Sequence, residues 1–555
     1  MSAAGELPRL LAEMPFLDRL EAVALSGWSR GAVYPAMAAL EEEGLAASLP
    51  HASGLIAPTR RYALTASGVG RLAGEAGLAV EDALRAWPVS ARARRVLLER
   101  LDAVAVLYRL AAAIAGAAWP LRYRWYRAGP VDAALALPGE RTLALVRQGP
   151  ATERTAFAKR LWRLREGPRF GAFLLLAPDA VRLRGLARRM RAAKAITFLA
   201  LERDAAAAGA SARIWRTASG SPALSLDEVL ALVGPGDAWP EGRPLARVAL
   251  PAPLPHAGGG GAPPWMLPYR LTPAEKRLLD ALARWPWIAR EHLGALLGLG
   301  RTRLSGLLHR LEGLGLVRAH GPDGRLALSE DALTLLARRD RAAAADARRR
   351  WSAEPFDPEA PLTWRNVRGR RSRQLLRNLA HTSAVHGFLA VLAEQARAEG
   401  REVVQLDPPH RASRYFRHDG ALHSVHPDAF GLLRREGKPW AFFLEWERRA
   451  VRPSTMAARF APYLRYYASQ RPTDDHGLRP DVLVVFEDEL AAHHFLGVAR
   501  REIARGGVDL PILVSHRALI EREGPLGRGW AAVAGGAARP FPDERAPRPF
   551  GDAAG

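Results

Sequence analysis

The stretch "LARWPWIAREHLGALLGLGRTRLSGLLHRLEGLGLV", residues 282–317, has a counterpart near the N-terminus, "LAEMPFLDRLEAVALSGWSRGAVYPAMAALEEEGLA", residues 11–46. The two align without a gap at an offset of 271, so Pro15 meets Pro286, Arg30 meets Arg301 and Gly44 meets Gly315. Turn residues and core leucines recur together, which chance seldom preserves. Each copy reads as a helix, a short turn, a second helix with apolar residues at helical spacing, then Gly-Leu leading into two short strands around a polar loop. That order predicts a winged helix.

In the second copy Thr272, Pro273 and Glu275 supply an N-cap, a first-turn proline and a capping-box acid. Its recognition helix would carry Arg301, Thr302, Arg303, Ser305, His309 and Arg310 on the side away from Leu304, Leu307, Leu308 and Leu311. Such a helix can enter a major groove and set arginines against phosphates or guanines. The wing "VRAHGPDGRLAL" would turn at Pro322, Asp323 and Gly324 and offer Arg318 and Arg325 to the DNA backbone. In the first copy the corresponding helix keeps Arg30 and Tyr34 but ends in Glu41, Glu42 and Glu43, which would repel phosphate. Its wing reaches DNA through Arg60 and Arg61, and "RRYALTASG" is similar to the last strand of winged-helix regulators. The alternative for either copy is a module for protein contacts, because fold alone does not fix function.

The duplication continues outward. After each module come a long amphipathic helix, an arginine- and aromatic-rich stretch, a hairpin, a further helix, a buried strand ("FGAFLLLAPD"; "PDVLVVFED"), a helix and a last strand ("AITFLALER"; "LPILVSHR"). Mixed strands and crossover helices imply an α/β core. The expected architecture is α+β/α/β and multidomain: winged helix 1–85, α/β domain 86–248, Pro/Gly linker 249–270, winged helix 271–345, α/β domain 346–535 and a disordered tail 536–555. A chain of 555 residues with 48% hydrophobic residues suffices for several cores.

The formal charge of +23 calls for a polyanion, of which nucleic acid is the commonest for a soluble basic chain. Among 80 basic residues only Lys159, Lys194, Lys276 and Lys438 are lysine, and arginine suits bidentate phosphate and guanine contacts. The absence of cysteine excludes disulfides, Cys-zinc sites and thiol nucleophiles. "MSAAGELPRLLAEMPF" has neither a basic n-region nor an apolar h-region, and no run approaches the roughly 20 apolar residues of a membrane helix, so a cytoplasmic protein without membrane contact is expected. No P-loop, HExxH pair or GxSxG elbow is present.

A second informative stretch is "VHPDAFGLLRREGKPWAFFLEWERRA", residues 425–450. A hairpin turning between Glu436 and Gly437 pairs Asp428 with Glu445, and strand alternation puts Glu447 on the same face. Three carboxylates there need a counter-charge. Oxygen ligands suit Mg²⁺ or Mn²⁺, held by Asp428, Glu445 and Glu447, which would also be the catalytic residues of a metal-dependent nuclease. Neutralisation by Arg448, Arg449 and Arg452 is the competing reading. In the first copy, "GPVDAALALPGERTLALVRQGP" would set Asp132 opposite Arg147 with no acid from Val146 to Gly149, leaving a scaffold, DNA clamp or dimer surface.

"HPDAF", the following "FFLEWERR" and a helix ending "APYLRYYAS", preceded by a winged helix, resemble the replication-relaxation family of plasmid and mobile-element proteins, from about Leu271 to Arg517. The C-terminal part of that family looks like a PD-(D/E)xK nuclease core, so the resemblance implies a restriction-endonuclease-like α/β domain at 346–535 and, by the duplication, a degenerate nuclease-like copy of it at 86–248. The resemblance implies that Asp428 and Glu445 hold the first two acidic positions and Glu447 the place where the nuclease pattern has lysine. Lys438 lies at the hairpin turn and does not replace it. In "NLAHTSAVHGFLAVL" the family often has an acid after the histidine, where this chain has His386 and Gly387; His381 and His386 are candidates to face the site, against a structural role. Tyr463, Tyr466 and Tyr467 would pack beside the hairpin, and "DDH" at 474–476 reads as an exposed loop.

The sequence thus predicts a double-stranded DNA-binding protein, and the resemblance implies that it belongs to a plasmid or integrative element and acts in replication initiation or DNA relaxation, with vestigial or weak metal-dependent nicking. Relaxase or replication proteins and a second copy of the chain are the expected protein partners. The alternatives are an active Mg²⁺-dependent endonuclease and a winged-helix transcriptional regulator.

Overall fold

The computed structural model describes residues 2–167, 169–220, 222–237, 247–254, 264–321, 323–447 and 453–533. The expected tail, the glycine run of the expected linker and Arg448, Arg449 and Arg452 lie outside them. The fold is mixed α/β and divides into two units, residues 1–280 with 328–352 and residues 281–327 with 353–555.

The first unit opens with helices Ala3–Glu13, Arg19–Ser26 and Arg30–Glu42 and a hairpin of β1 (Ala46–His51) and β2 (Thr59–Leu64). A capping box starts the second helix: Asp18 Oδ1 accepts from the Glu21 N–H at 2.8 Å, and Glu21 accepts from the Asp18 N–H at 3.0 Å. Val33, Met37 and Leu40 recur at helical spacing and are buried with Leu7, Leu11 and Leu25. Arg61, expected on the wing surface, is instead completely buried. Its guanidinium donates to Glu21 Oε2 and to the Phe16 carbonyl, each at 2.9 Å, and its Nε donates to His51 Nδ1 at 3.1 Å. The reason is strand alternation: Arg60 faces out, so Arg61 faces the core, where the buried Glu21 receives it.

His51 is fixed as a neutral ring. Nδ1 accepts from Arg61, so Nε2 carries the proton and donates to Asp102 Oδ1 at 2.8 Å, an oxygen that also accepts from Lys276 Nζ at 2.6 Å. Burial pushes the His51 pKa down to about 4, more than Asp102 raises it. Between the ordinary value and about 4 the unfolded chain binds a proton that the folded one refuses, so stability falls as pH falls. A loss of about 2–3 kcal/mol is expected across that window. Melting temperature measured from pH 7 to pH 4 on the wild type and on His51→Gln checks this: the variant should show the shallower decline.

A six-stranded sheet follows, β3 (Arg122–Trp125), β4 (Ala133–Leu137), β5 (Arg141–Arg147), β6 (Ala172–Ala177), β7 (Ile196–Leu201) and β8 (Arg216–Thr217), in that spatial order. β5, β6 and β7 are parallel and the outer pairings antiparallel. Side-chain alternation gives it two cores. Leu143, Leu145, Leu174 and Leu176 join Val104, Leu107 and Ile114 of helix Leu101–Ala117, whereas Ala144, Val146, Phe173 and Leu175 join Phe157 and Leu161 of helix Arg154–Glu166 and Leu186 of helix Ala180–Met190. Coverage of both faces explains the unbroken apolar run of β6. The single long helix expected before the sheet is two, Ala91–Glu99 and Leu101–Ala117, interrupted at Arg100, whose guanidinium donates to the Arg127 carbonyl at 2.9 Å.

The boundary between units passes inside the segment expected to be the second winged helix. Side chains from 276 and 338–341 are committed within the first unit, where Lys276 meets Asp102 and Arg339 meets Asp280 at 2.7 Å. The flanks of the expected linker are packed as well: the Ala249 carbonyl accepts from the Ala91 N–H at 2.9 Å, and Met266 and Tyr269 are buried in the first unit's core.

The second unit contains helices Arg290–Leu297 and Arg301–Gly313 and the hairpin β9 (Val317–His320) with β10 (Arg325–Leu328), whose last residue counts to the first unit. Helices Arg370–Arg377 and Leu379–Ala398 follow, again two where one was expected, with the break at Asn378. Its strands are β11 (Glu402–Asp407), a separate hairpin of β12 (Arg414–His418) and β13 (Ala421–Val425), then β14 (Ala429–Arg435), β15 (Lys438–Glu447), β16 (Asp481–Phe486), β17 (Ile512–His516) and β18 (Ala531–Ala532). The six-stranded sheet runs β11-β14-β15-β16-β17-β18, with β15, β16 and β17 parallel and the other pairings antiparallel. Strand order and strand sense therefore repeat those of the first sheet.

Candidate functional site

In the β14–β15 hairpin, Ala429 pairs with Leu444, Phe430 with Phe443 and Arg435 with Lys438. The turn residues Glu436 and Gly437 both have positive φ, 49° and 80°, as a two-residue type I′ turn requires. Continued by one residue, this register sets Asp428 opposite Glu445. The Asp428 N–H donates to the Leu444 carbonyl at 2.8 Å, and its Oδ2 accepts from the Trp446 N–H at 2.8 Å.

Two helices supply further partners. His381, on helix Leu379–Ala398, places Nε2 2.9 Å from Asp428 Oδ1. Tyr463, on helix Pro453–Tyr467, donates its hydroxyl to Glu445 Oε1. Burial, reinforced by the Glu445 charge, raises the Tyr463 pKa well above the usual phenol value, so the hydroxyl stays a donor to the carboxylate. Glu447 ends β15 half-buried, and its carbonyl accepts from the Glu487 N–H at 3.1 Å. Among the described residues no group of three His, Asp or Glu side chains is disposed to hold a metal ion. Asp428 and Glu445 are the pair that could share one, with His381 and Tyr463 hydrogen-bonded to them.

His386, the other histidine considered for the site, is not part of it. It is buried against Trp285, with ring centroids 5.5 Å apart, and burial with the nearby His292 and Arg325 lowers its pKa to about 3. The tyrosines pack beside the hairpin, yet their hydroxyls have tasks the sequence did not reveal: Tyr466 donates to Asp475 at 2.9 Å and Tyr467 to the Pro480 carbonyl. "DDH" is not an exposed loop. It closes a short helix, Arg471–His476, in which Asp475 and His476 are buried; Gly477 at φ 76° ends that helix and was the available signal.

The first unit's hairpin differs by one residue from the expected register. Leu137 pairs with Arg141, so the turn Pro138-Gly139-Glu140 has three residues, with Gly139 and Glu140 at positive φ, and Asp132 falls opposite Val146. The latch is the same as around Asp428: the Asp132 N–H donates to the Leu145 carbonyl at 2.9 Å and Oδ2 accepts from the Arg147 N–H at 2.7 Å. The charge partners are not the expected Arg147 guanidinium but Arg160, on Oδ2 at 2.5 Å, and Arg341, on Oδ1 at 2.6 Å. Against the opposing effect of burial, Arg160 and Arg341 hold this carboxyl well below the usual range. Arg147 pairs with Glu202 and, at 2.8 Å, with Asp340.

On helix Arg301–Gly313, Arg301, Thr302, Arg303, Ser305, His309 and Arg310 are exposed, while Leu304, Leu308 and Leu311 are buried. Arg325 is not on that surface: it is largely buried and donates to the Trp287 carbonyl at 3.4 Å, pinning the strand it starts. Arg30 is exposed at the start of its helix. Arg60 is exposed but donates to Ser48 Oγ at 2.5 Å and Glu41 at 3.3 Å, which offsets its charge.

The second unit thus carries a carboxylate hairpin on a mixed α/β sheet and an exposed basic helix. The region from 279 to 482, which contains both features, matches the replication-relaxation family model. Neither a curated protein nor a solved structure matches the chain. No helix among the described residues is long and apolar enough to cross a membrane.

Proposed function

We propose that the chain is a double-stranded DNA-binding protein of a plasmid or integrative element, acting in replication initiation or DNA relaxation. In this reading it is a tandem duplication of a winged helix and a restriction-endonuclease-like α/β domain. The repeat at an offset of 271 residues and the shared order and sense of the two sheets support the duplication. The observation that carries DNA binding is the exposed face of Arg301, Thr302, Arg303, Ser305, His309 and Arg310 backed by buried leucines, in a chain of net charge +23. The test is affinity for duplex DNA against salt: log K should fall linearly with log salt, and a flat response overturns the reading. Relaxase or replication proteins and a second copy are the partners such a role would need.

A second reading, Mg²⁺- or Mn²⁺-dependent nicking, is favoured by the register that sets Asp428 against Glu445. Both carboxylates accept protein hydrogen bonds, and the position where the nuclease pattern has lysine is Glu447, so weak or vestigial turnover is expected. Supercoiled plasmid incubated with Mg²⁺ and either wild type or Glu445→Ala decides it. Nicking lost in the variant supports the enzyme, and identical products from the two exclude it.

A further inference from the structure

Between Glu359 and Glu394 the chain has no acidic residue, while residues 364–377 contain Arg365, Arg368, Arg370, Arg371, Arg373 and Arg377. This segment is ordered against the second unit's hydrophobic cluster. Val367 and Ala353 are buried with Trp287 and Ala327, and Leu362, Leu375, Leu376 and Leu379 pack on them. Asn366 holds the preceding loop, accepting from the Asp357 N–H at 2.9 Å and donating to the carbonyls of Asp357 at 2.8 Å and Ala360 at 3.1 Å. The leucines face inward, so Arg370, Arg371 and Arg377 line the outer side of helix Arg370–Arg377, while Arg373 is half-buried and donates to the Val367 carbonyl at 3.2 Å.

Two large aromatic rings lie on that outer surface. Trp364 is 36% exposed and Phe356 57% exposed. The guanidinium carbons of Arg365 and Arg377 sit 5.0 Å and 5.4 Å from the Trp364 ring centroid, and that of Arg373 sits 5.4 Å from Phe356. Cation–π contact holds these guanidinium groups in place without neutralising them. Arg365, Arg370, Arg371 and Arg377 are exposed, and among the described residues none of the four has a carboxylate partner. A cluster serving only to cover a ring would not need this uncompensated charge.

We propose that Trp364, Phe356 and the surrounding arginines form a binding surface for single-stranded DNA. The arginines track the phosphates, and unpaired bases stack on the exposed part of the aromatic faces and on the outward planes of the guanidinium groups. The aromatic rings decide between strand states. Arginines alone attract duplex and single strand alike, whereas a base face is available for stacking only where the strand is unpaired. Asp357 and Glu359, exposed on the loop beside Phe356, steer the phosphate path toward Trp364 and the arginine helix. The duplex-binding reading rests on different residues, Arg301 and its neighbours, so either can fail alone.

The full chain is titrated against a labelled oligo-dT and against a duplex, by fluorescence anisotropy at fixed salt. Trp364→Ala should weaken oligo-dT binding about 5- to 150-fold, from the worth of one stacked base, and Trp364→Phe should restore most of it. Duplex affinity of both variants should stay within about twofold of wild type, because stacking is closed to paired bases. Arg370→Gln with Arg371→Gln, which leaves the aromatic packing untouched, should lower the salt slope on oligo-dT by about 0.7 per lost phosphate contact. Unchanged oligo-dT affinity in Trp364→Ala, equal losses on both DNAs, or an unchanged slope in the arginine variant would each overturn the proposal. A preference for oligo-rU over oligo-dT would overturn the assignment to DNA.

Discussion

Asp340→Ala is expected to destabilise the first unit by about 3–5 kcal/mol, the usual cost of removing one partner from a buried ion network. The carboxylate is 2% exposed and accepts from Arg147 at 2.8 Å, from Arg339 at 3.1 and 2.9 Å, and from the Ala151 N–H at 2.7 Å. Burial alone would raise its pKa, but the guanidinium groups of Arg339 and Arg147 hold it well below the usual range. Without it Arg147 keeps Glu202, Arg339 keeps Asp280, and the Ala151 N–H loses its acceptor. Asp428→Ala is the control in the second unit. That side chain is 20% exposed and serves one N–H and one histidine, so about 1–2 kcal/mol is expected. Chemical denaturation followed by a probe in each unit measures both. Equal costs at the two positions would show that the Asp340 network is not a keystone of its unit.

The same network bears on acid stability. A depressed carboxyl such as Asp340 contributes stability above its unfolded pKa and loses it only as pH falls through its much lower folded value. Histidines act earlier. His51 and His386, held neutral by burial, withdraw stability as pH falls from the ordinary histidine value toward about 4 and about 3 respectively. Destabilisation in mild acid is therefore expected from the buried imidazoles, with the carboxylate network failing only at lower pH.

How far the sequence discloses this structure depends on the range of each interaction. The β14–β15 register was legible because two-residue turns with Gly at the second position leave little choice, and Arg435 and Lys438 close it as expected. At Pro138-Gly139-Glu140 the register differs by one residue from the expected one, since a positive φ at Glu140 adds a residue to the loop that spacing does not announce. The burial of Arg61 is not legible because its partner Glu21 lies 40 positions away, and nothing local marks "RRYAL" as half inside. The exposed face of helix Arg301–Gly313 was legible from its leucine spacing. The hydroxyl contacts of Tyr463 and Tyr466 were not, because apolar packing and a directed O–H give tyrosine the same helical pattern.

Duplex DNA affinity should drop about 30- to 25,000-fold in Arg301→Ala with Arg303→Ala, if each arginine makes a base or phosphate contact worth about 1–3 kcal/mol. Salt dependence separates the two kinds of contact. An arginine on phosphate takes about 0.9 from the slope of log K against log salt when removed, whereas one on guanine leaves a loss that varies with DNA sequence. Thr302, Ser305 and His309 share the exposed face but carry no fixed charge, so their alanine variants should change sequence preference more than slope. Arg325→Ala is the internal control: its guanidinium is spent on the Trp287 carbonyl, so its removal should lower stability and leave the slope alone. If Arg325→Ala lowered the slope while the Arg301 and Arg303 pair did not, the DNA would be meeting the β9–β10 hairpin and not the helix. The orientation of the whole module on the duplex would then have to be reversed.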